Sequence, residues 1–179
     1  MSLRGGIGLP ELPIEDGREY RLGIMGGTFD PIHYGHLVTA EQARESLDLD
    51  AVLFMPAGSP AFKLDKPVTP AEDRYAMTVL ATAANPAFLA SRFEIDREGV
   101  TYTADTLRAL REFYPPQVKL YFITGADAII DIVTWHHADE IAELATFIAA
   151  TRPGFDIDTA RARIKESGLP FDVRYIQIP

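Results

Sequence analysis

The chain has 179 residues, 47% of them hydrophobic, and a formal net charge of −9, which suits one domain with a substantial core. It has no cysteine, so disulfides, thiolate metal sites and cysteine nucleophiles are excluded. The acidic balance argues against a general nucleic-acid or membrane-surface binder, no apolar run approaches the roughly 18–20 residues of a membrane span, and no secretory leader opens the chain, so the expected setting is cytoplasmic.

Residues 1–20 carry Gly5, Gly6, Gly8, Pro10, Pro13 and Gly17 without a sustained period and read as a flexible N-terminal extension. Arg21 to Met25 reads as the first strand. Gly26-Gly27-Thr28-Phe29-Asp30-Pro31-Ile32-His33-Tyr34-Gly35-His36-Leu37 follows it, running into a helix from about His33 to Leu47. Leu37, Ala40, Ala43 and Leu47 recur at helical spacing and would face a sheet. Ala51 to Met55 reads as a strand buried on both faces. Pro56 to Thr69, with Lys63, is a long irregular segment, and such loops in compact domains are commonly functional.

Thr69 is the expected N-cap of the next helix, with Pro70 at its first position and Glu72 completing a capping box. Tyr75, Met77, Leu80 and Ala81 form its expected apolar side, and Asn85-Pro86 stops it. Phe88 to Ile95 reads as a strand. Thr103 is the expected cap of a helix over about Ala104 to Phe113, with Asp105 in its positive first turn. Leu107, Leu110, Arg111 and Tyr114 mark its stripe, and Pro115-Pro116 ends it. Val118 to Ile123 is a strand leading into Gly125-Ala126-Asp127. A short apolar helix to about Val133, the Trp135-His136-His137 turn and a helical turn or two over Asp139 to Leu144 follow. Thr146 to Ala150 is a strand followed at once by Arg152-Pro153-Gly154. Asp158 to Glu166 is a helix ended by Gly168, and Val173 to Ile178 the last strand.

Strands and helices alternate almost without exception. The expected fold is therefore a single-domain α/β protein, a Rossmann-like doubly wound parallel sheet with helices on both faces. In such sheets ligands bind beyond the carboxyl ends of the strands. The turns at Gly26, Pro56, Gly125 and Arg152 all follow strands, so they are expected to converge on one crevice.

Two of the chain's four histidines fall in the Gly26–Leu37 stretch. Adjacent glycines let backbone approach a ligand closely. If His33 and His36 share a helix's first turn, they stand beside free backbone N–H groups, an arrangement suited to phosphate. Zinc is disfavoured: it needs three or four protein ligands, and His136-His137 cannot readily share the face of the first pair. Asp127 suits ribose hydroxyls or a metal, or simply a helix cap. Lys63 suits phosphate, or is simply an unpaired surface lysine; Arg152 suits phosphate, or a surface acid; Trp135 suits ring stacking, or core. Thr103 is a cap first and a ligand contact second. Neither a Walker-type phosphate loop, a Gly-x-Ser-x-Gly elbow nor Rossmann dinucleotide glycine spacing is present.

The Gly-Gly-Thr-Phe-Asp-Pro-Ile-His-Tyr-Gly-His-Leu stretch closely resembles the signature of the HxGH nucleotidyltransferases. Pro56-Ala57-Gly58 with Lys63, Thr101-Tyr102-Thr103, Gly125-Ala126-Asp127, Trp135 and Arg152-Pro153-Gly154 make the chain similar to the nicotinate-nucleotide adenylyltransferases within that superfamily, from about Arg21 to Pro179. The resemblance implies adenylyl transfer from ATP to nicotinate mononucleotide in NAD biosynthesis, with Mg²⁺ on the phosphates and no covalent intermediate. It implies that His33 and His36 act on the ATP phosphates, His36 foremost. Gly26, Gly27, Thr28, Phe29, Gly125, Asp127 and Arg152 would contact ATP, and Lys63, Thr103 and Trp135 the mononucleotide. Members carry a further Ser/Thr-Arg motif after the strand matching Val173 to Ile178, whereas this chain ends at Pro179. The expectation is a nucleotidyltransferase domain over 21–179 lacking that motif, with impaired turnover. The alternatives are another HxGH enzyme (pantetheine-phosphate adenylyltransferase or a cytidylyltransferase) and a non-catalytic nucleotide-binding module.

Overall fold

In the computed structural model, residues 8–59 and 66–179 are described. Among them six strands form one sheet: β1 (Tyr20–Gly27), β2 (Ala51–Pro56), β3 (Phe88–Ala90), β4 (Val118–Gly125), β5 (Thr146–Thr151) and β6 (Val173–Gln177). The helices are α1 (Tyr34–Ser46), α2 (Ala71–Thr82), α3 (Thr103–Phe113), the single turn α4 (Ala126–Ile129), α5 (Ala138–Leu144) and α6 (Ile157–Ser167), with one 3-10 turn at Ile132–Thr134. The strand order is β3-β2-β1-β4-β5-β6, and all five pairings are parallel. The expected α/β class and doubly wound sheet are therefore present. The chain winds outward from β1 to β3, then crosses over through α3 to β4 on β1's other side. The switch point of the sheet thus lies between β1 and β4, where such folds bind ligands.

Alternating side chains feed two cores. Leu22, Ile24, Leu53 and Met55 pack with Leu107, Leu110 and Ile141 on one face; Met25, Val52 and Phe54 pack with Ala40 and Ala43 on the other. β2 is buried at all six positions, as a central parallel strand covered on both faces should be.

Several local expectations are corrected. β1 and β4 run further than expected, because Gly26 and Gly27 still pair with Met55 and Pro56, and Gly125 with Ala150. Of the N-terminal segment, residues 1–7 lie outside the described residues. The part from Gly8 to Glu19 is not a free extension along its length: Leu9 is fully buried in the core, Ser91 Oγ donates to Gly8 O, and Tyr114 Oη donates to Pro10 O. β3 ends at Ala90 rather than Ile95, because the Ser91 hydroxyl also accepts from Phe93 N and turns the chain.

Thr69 does not cap α2. Its N–H instead donates to Asp30 Oδ2 at 2.9 Å, and Pro70 is the capping position. The buried stripe of α2 is Arg74, Thr78 and Thr82, while Leu80 is 77% exposed. Met77 and Ala81 pack partly on the core, so the apolar side expected here is only half right. Thr103 is the first residue of α3, and Asp105 Oδ2 accepts from Tyr102 N one position earlier.

Candidate active site

Helix α1 starts on an unusual pair of caps. His33 is the N-cap in extended backbone, and His36 is the third helical residue. His33 Nδ1 accepts the Gly35 N–H at 3.1 Å, and His36 Nδ1 accepts the His33 N–H at 3.1 Å. This is a capping box with imidazoles in place of hydroxyl and carboxylate. The rings stack at 3.9 Å between centroids. A ring nitrogen that accepts carries no proton, so each neutral imidazole holds its proton on Nε2. Both histidines are thereby set as Nε2–H donors. Burial first, and the nearby His33 second, push the His36 pKa below its ordinary value. That keeps His36 neutral, and the tautomer fixed, at neutral pH.

Gly35 is required by the same geometry. A Cβ there would lie 2.8 Å from His33 Cε1 and 2.9 Å from its Nδ1. The expectation of free first-turn N–H groups beside both histidines is met only in part, since His33 takes that of Gly35.

Phe29 holds the pair from behind. It is buried, with a left-handed backbone at φ 51°, a conformation that is unfavourable for a bulky residue and persists only when its surroundings enforce it. Its ring packs edge-on to His36 at 5.0 Å and against Phe54 at 6.1 Å. Gly26 is exposed, and Thr28 is half-buried with its carbonyl bound by Arg74.

Across the switch point, a cleft of about 440 Å³ opens beyond β4 and β5. Gly125, Asp127 and Arg152 line it together with Ala126, Ala150 and Phe155. The Asp127 carboxylate and the Arg152 guanidinium are both exposed there. The turn bearing the histidines belongs to β1, the strand paired directly with β4.

Thr103 and Trp135 meet through their neighbours: Tyr102 stacks on His136 at 4.3 Å and 24°. Trp135 is half-buried, edge-on to Phe122 and Phe147 at 6.3 Å each, so much of its indole is core. Lys63 lies outside the described residues. Sequence reasoning missed the Phe29–His36 contact, the Tyr102–His136 stack, and Arg74. Only Arg74 left a signal: a charged residue in register with Thr78 and Thr82 on what becomes the buried side of α2.

A model of the cytidylyltransferase-like family matches residues 24–174. A Moorella thermoacetica protein called "probable nicotinate-nucleotide adenylyltransferase" is 56% identical over 168 residues, covering 90% of this chain and 76% of that protein. The chain belongs to the nicotinate-nucleotide adenylyltransferase family. A Thermoanaerobacter relative of the same name is 58% identical over 139 residues, 78% of this chain and 66% of its own length. The chain thus spans about two thirds to three quarters of the length of these two family members. Among solved structures, a Plasmodium falciparum nicotinic acid mononucleotide adenylyltransferase complexed with NaAD is similar in fold. Its TM-score is 0.70 at 23% identity, over 89% of this chain and 76% of that one. Among the described residues no helix is long and apolar enough to cross a membrane.

Proposed function

We propose that this chain transfers the adenylyl group of ATP to nicotinate mononucleotide, forming deamido-NAD and pyrophosphate. One observation carries the reading: two stacked imidazoles, each with Nδ1 committed to a backbone N–H, presented at the switch point of the sheet. The names of the family's members support the choice of substrates.

In this reaction a phosphate oxygen of the mononucleotide attacks the α-phosphorus of ATP. A new P–O bond forms, the bond from the α-phosphorus to its bridging oxygen breaks, and pyrophosphate leaves with the electron pair. Charge develops on the phosphate oxygens, which Nε2–H donors of His36 and His33 stabilise without reorganising. The exposed backbone at Gly26 admits the phosphates closely. Gly125, Asp127 and Arg152 form the nucleotide side, with Asp127 toward the ribose and Arg152 toward phosphate. Thr103, Trp135 and Lys63 form the mononucleotide side. No nucleophile of the protein takes part, so rate comes from positioning and electrostatics.

Magnesium would arrive with the nucleotide. Among the described residues no group of three or more His, Asp or Glu is placed to hold a metal ion. That donor set suits a cation held through phosphate oxygens and water, where it would neutralise phosphate charge.

The test is pyrophosphate and deamido-NAD formation from ATP and nicotinate mononucleotide, beside His36→Ala. Loss of one such donor is expected to lower kcat by about 10²–10³ while the melting transition persists. Wild-type turnover of a different nucleotide acceptor in preference to this one, or an unimpaired His36→Ala, overturns the reading.

A further inference from the structure

We propose that Arg74 is a positioning residue for this reaction, fastening the turn after β1 to both ends of the segment between β2 and α2. The proposal rests on the adenylyl-transfer reading.

Arg74 lies on α2 and is 1% exposed. Its guanidinium makes four hydrogen bonds, all to main-chain carbonyls. Nε donates to Thr69 O at 2.8 Å. One terminal nitrogen donates to Thr28 O at 2.8 Å and to Ala57 O at 2.6 Å, and the other to Gly58 O at 3.0 Å. No carboxylate is among these partners. Burying a cation on neutral acceptors alone is a poor way to gain stability, because the desolvation cost is large. What the planar fork does supply is geometry: donors at fixed angles that three separate strands of chain must meet at once.

One of those pieces carries the proposed phosphate contacts. Thr28 belongs to the turn that presents Phe29, His33 and His36. Ala57 and Gly58 begin the segment that follows β2, and Thr69 ends it. Other contacts tighten the same knot. Ala57 N donates to Gly27 O at 2.8 Å, and Thr69 N donates to Asp30 Oδ2 at 2.9 Å. Gly58 runs close against the chain at Glu94, where an added Cβ would lie 2.4 Å from the Glu94 carbonyl. Thr69 is thus gripped twice, by Asp30 through its N–H and by Arg74 through its carbonyl. The Arg74 side chain hydrogen-bonds to all three pieces.

Beside the Ala57 N–Gly27 O and Thr69 N–Asp30 Oδ2 bonds, the Arg74 guanidinium fixes the spacing between the phosphate-binding turn and both ends of the segment after β2. Loosening it leaves each substrate's own contacts in place but disturbs their mutual alignment. Misplacement by about 1 Å costs about 10²-fold in such reactions.

The experiment compares wild type with Arg74→Lys and Arg74→Met. Lys keeps the charge but gathers its donors on one atom, so it cannot serve the three pieces together; Met keeps only the stem. Two measurements are made well below each variant's melting temperature. The first is steady-state kinetics, where kcat per folded molecule is expected to fall about 10–100-fold for Arg74→Lys, and further for Arg74→Met, with both KM values within about threefold of wild type. The second is amide hydrogen exchange, which is expected to rise in the peptides carrying Thr28 and Ala57–Gly58 together, while β1 and α3 stay protected. Unchanged kcat per folded molecule, or loosening of one piece alone, overturns the proposal. If Arg74→Met does not fold, Arg74→Lys decides. Wild type that forms no deamido-NAD refutes the adenylyl-transfer reading instead, and the exchange measurement, which needs no turnover, separates that failure from failure of the knot.

Discussion

Gly35→Ala tests the histidine pair with a single methyl group. The added Cβ would stand 2.8 Å and 2.9 Å from two atoms of the His33 ring, closer than real Cβ contacts allow. The backbone of α1 is fixed by its helix, whereas His33 is exposed, so the imidazole is what moves. As it swings out it loses the Gly35 N–H bond of 3.1 Å and its 3.9 Å stack on His36. Loss of such a cap costs about 0.5–2 kcal/mol, and Ala in place of Gly in a helix returns up to about 1 kcal/mol. The net change in stability is within about 1 kcal/mol, and for a chain of this size that shifts Tm by only about 2–4 °C. Turnover responds differently, because the displaced ring takes its Nε2–H donor with it. Removing one preorganised donor lowers kcat by about 10²–10³. Pyrophosphate release and thermal unfolding, measured on the same preparation, give both quantities. A Gly35→Ala variant within about threefold of wild-type kcat would refute the reasoning, because the methyl group and the productive ring position cannot coexist.

Glu94 offers a pH test of the core beside α3. Burial raises its carboxyl to about 7, against a partly opposing hydrogen bond from Thr106 Oγ1 at 2.8 Å. A raised carboxyl contributes stability that is fully present below the ordinary carboxylate range and is lost as pH rises through about 7. Glu94→Gln should therefore stabilise the fold more at pH 8 than at pH 5, by up to about 3 kcal/mol, and raise Tm accordingly; an unchanged slope of Tm against pH contradicts it. Arg152→Ala removes the exposed cation from the cleft beyond β4 and β5. The ATP KM is expected to rise about tenfold with an intact fold, and an unaltered KM would remove Arg152 from the nucleotide side.

Much of the architecture was legible in order along the chain. The apolar run of β2, the spacing of Ala40 and Ala43 on α1, and the turn residues at each strand end are local signals, and each marked its element within a few residues. Hydrophobic periodicity failed at α2, where Arg74, Thr78 and Thr82 face inward and Leu80 outward. The reason is that Arg74 meets main-chain carbonyls of neighbouring loops, and Thr78 and Thr82 donate to carbonyls of α2 itself, whereas a periodicity argument assumes that the inward face meets apolar side chains. The Gly8–Glu19 segment was misread for a related reason. Gly8 O and Pro10 O find their partners at Ser91 and Tyr114, far along the sequence, and Leu9 is buried in the core.

The candidate site divides the same way. Sequence alone determined that His33 and His36 come shortly after a strand and open a helix, because those residue types and that spacing are local properties; that Gly26 and Gly27 still belong to the strand was decided by its pairing. Sequence also determined that Gly125, Asp127 and Arg152 each stand at or just past a strand's carboxyl end. Only the tertiary structure decided that β1 and β4 are neighbours, and that Gly125, Asp127 and Arg152 line one cleft, whose lining does not include the histidine turn. It also decided the chemical state of the histidines, since their Nε2–H tautomer follows from where two backbone N–H groups point. The buried guanidinium that holds the turn in place has no counterpart in any motif. Its meaning comes from three carbonyl-bearing segments, and only folding brings them within reach of one side chain.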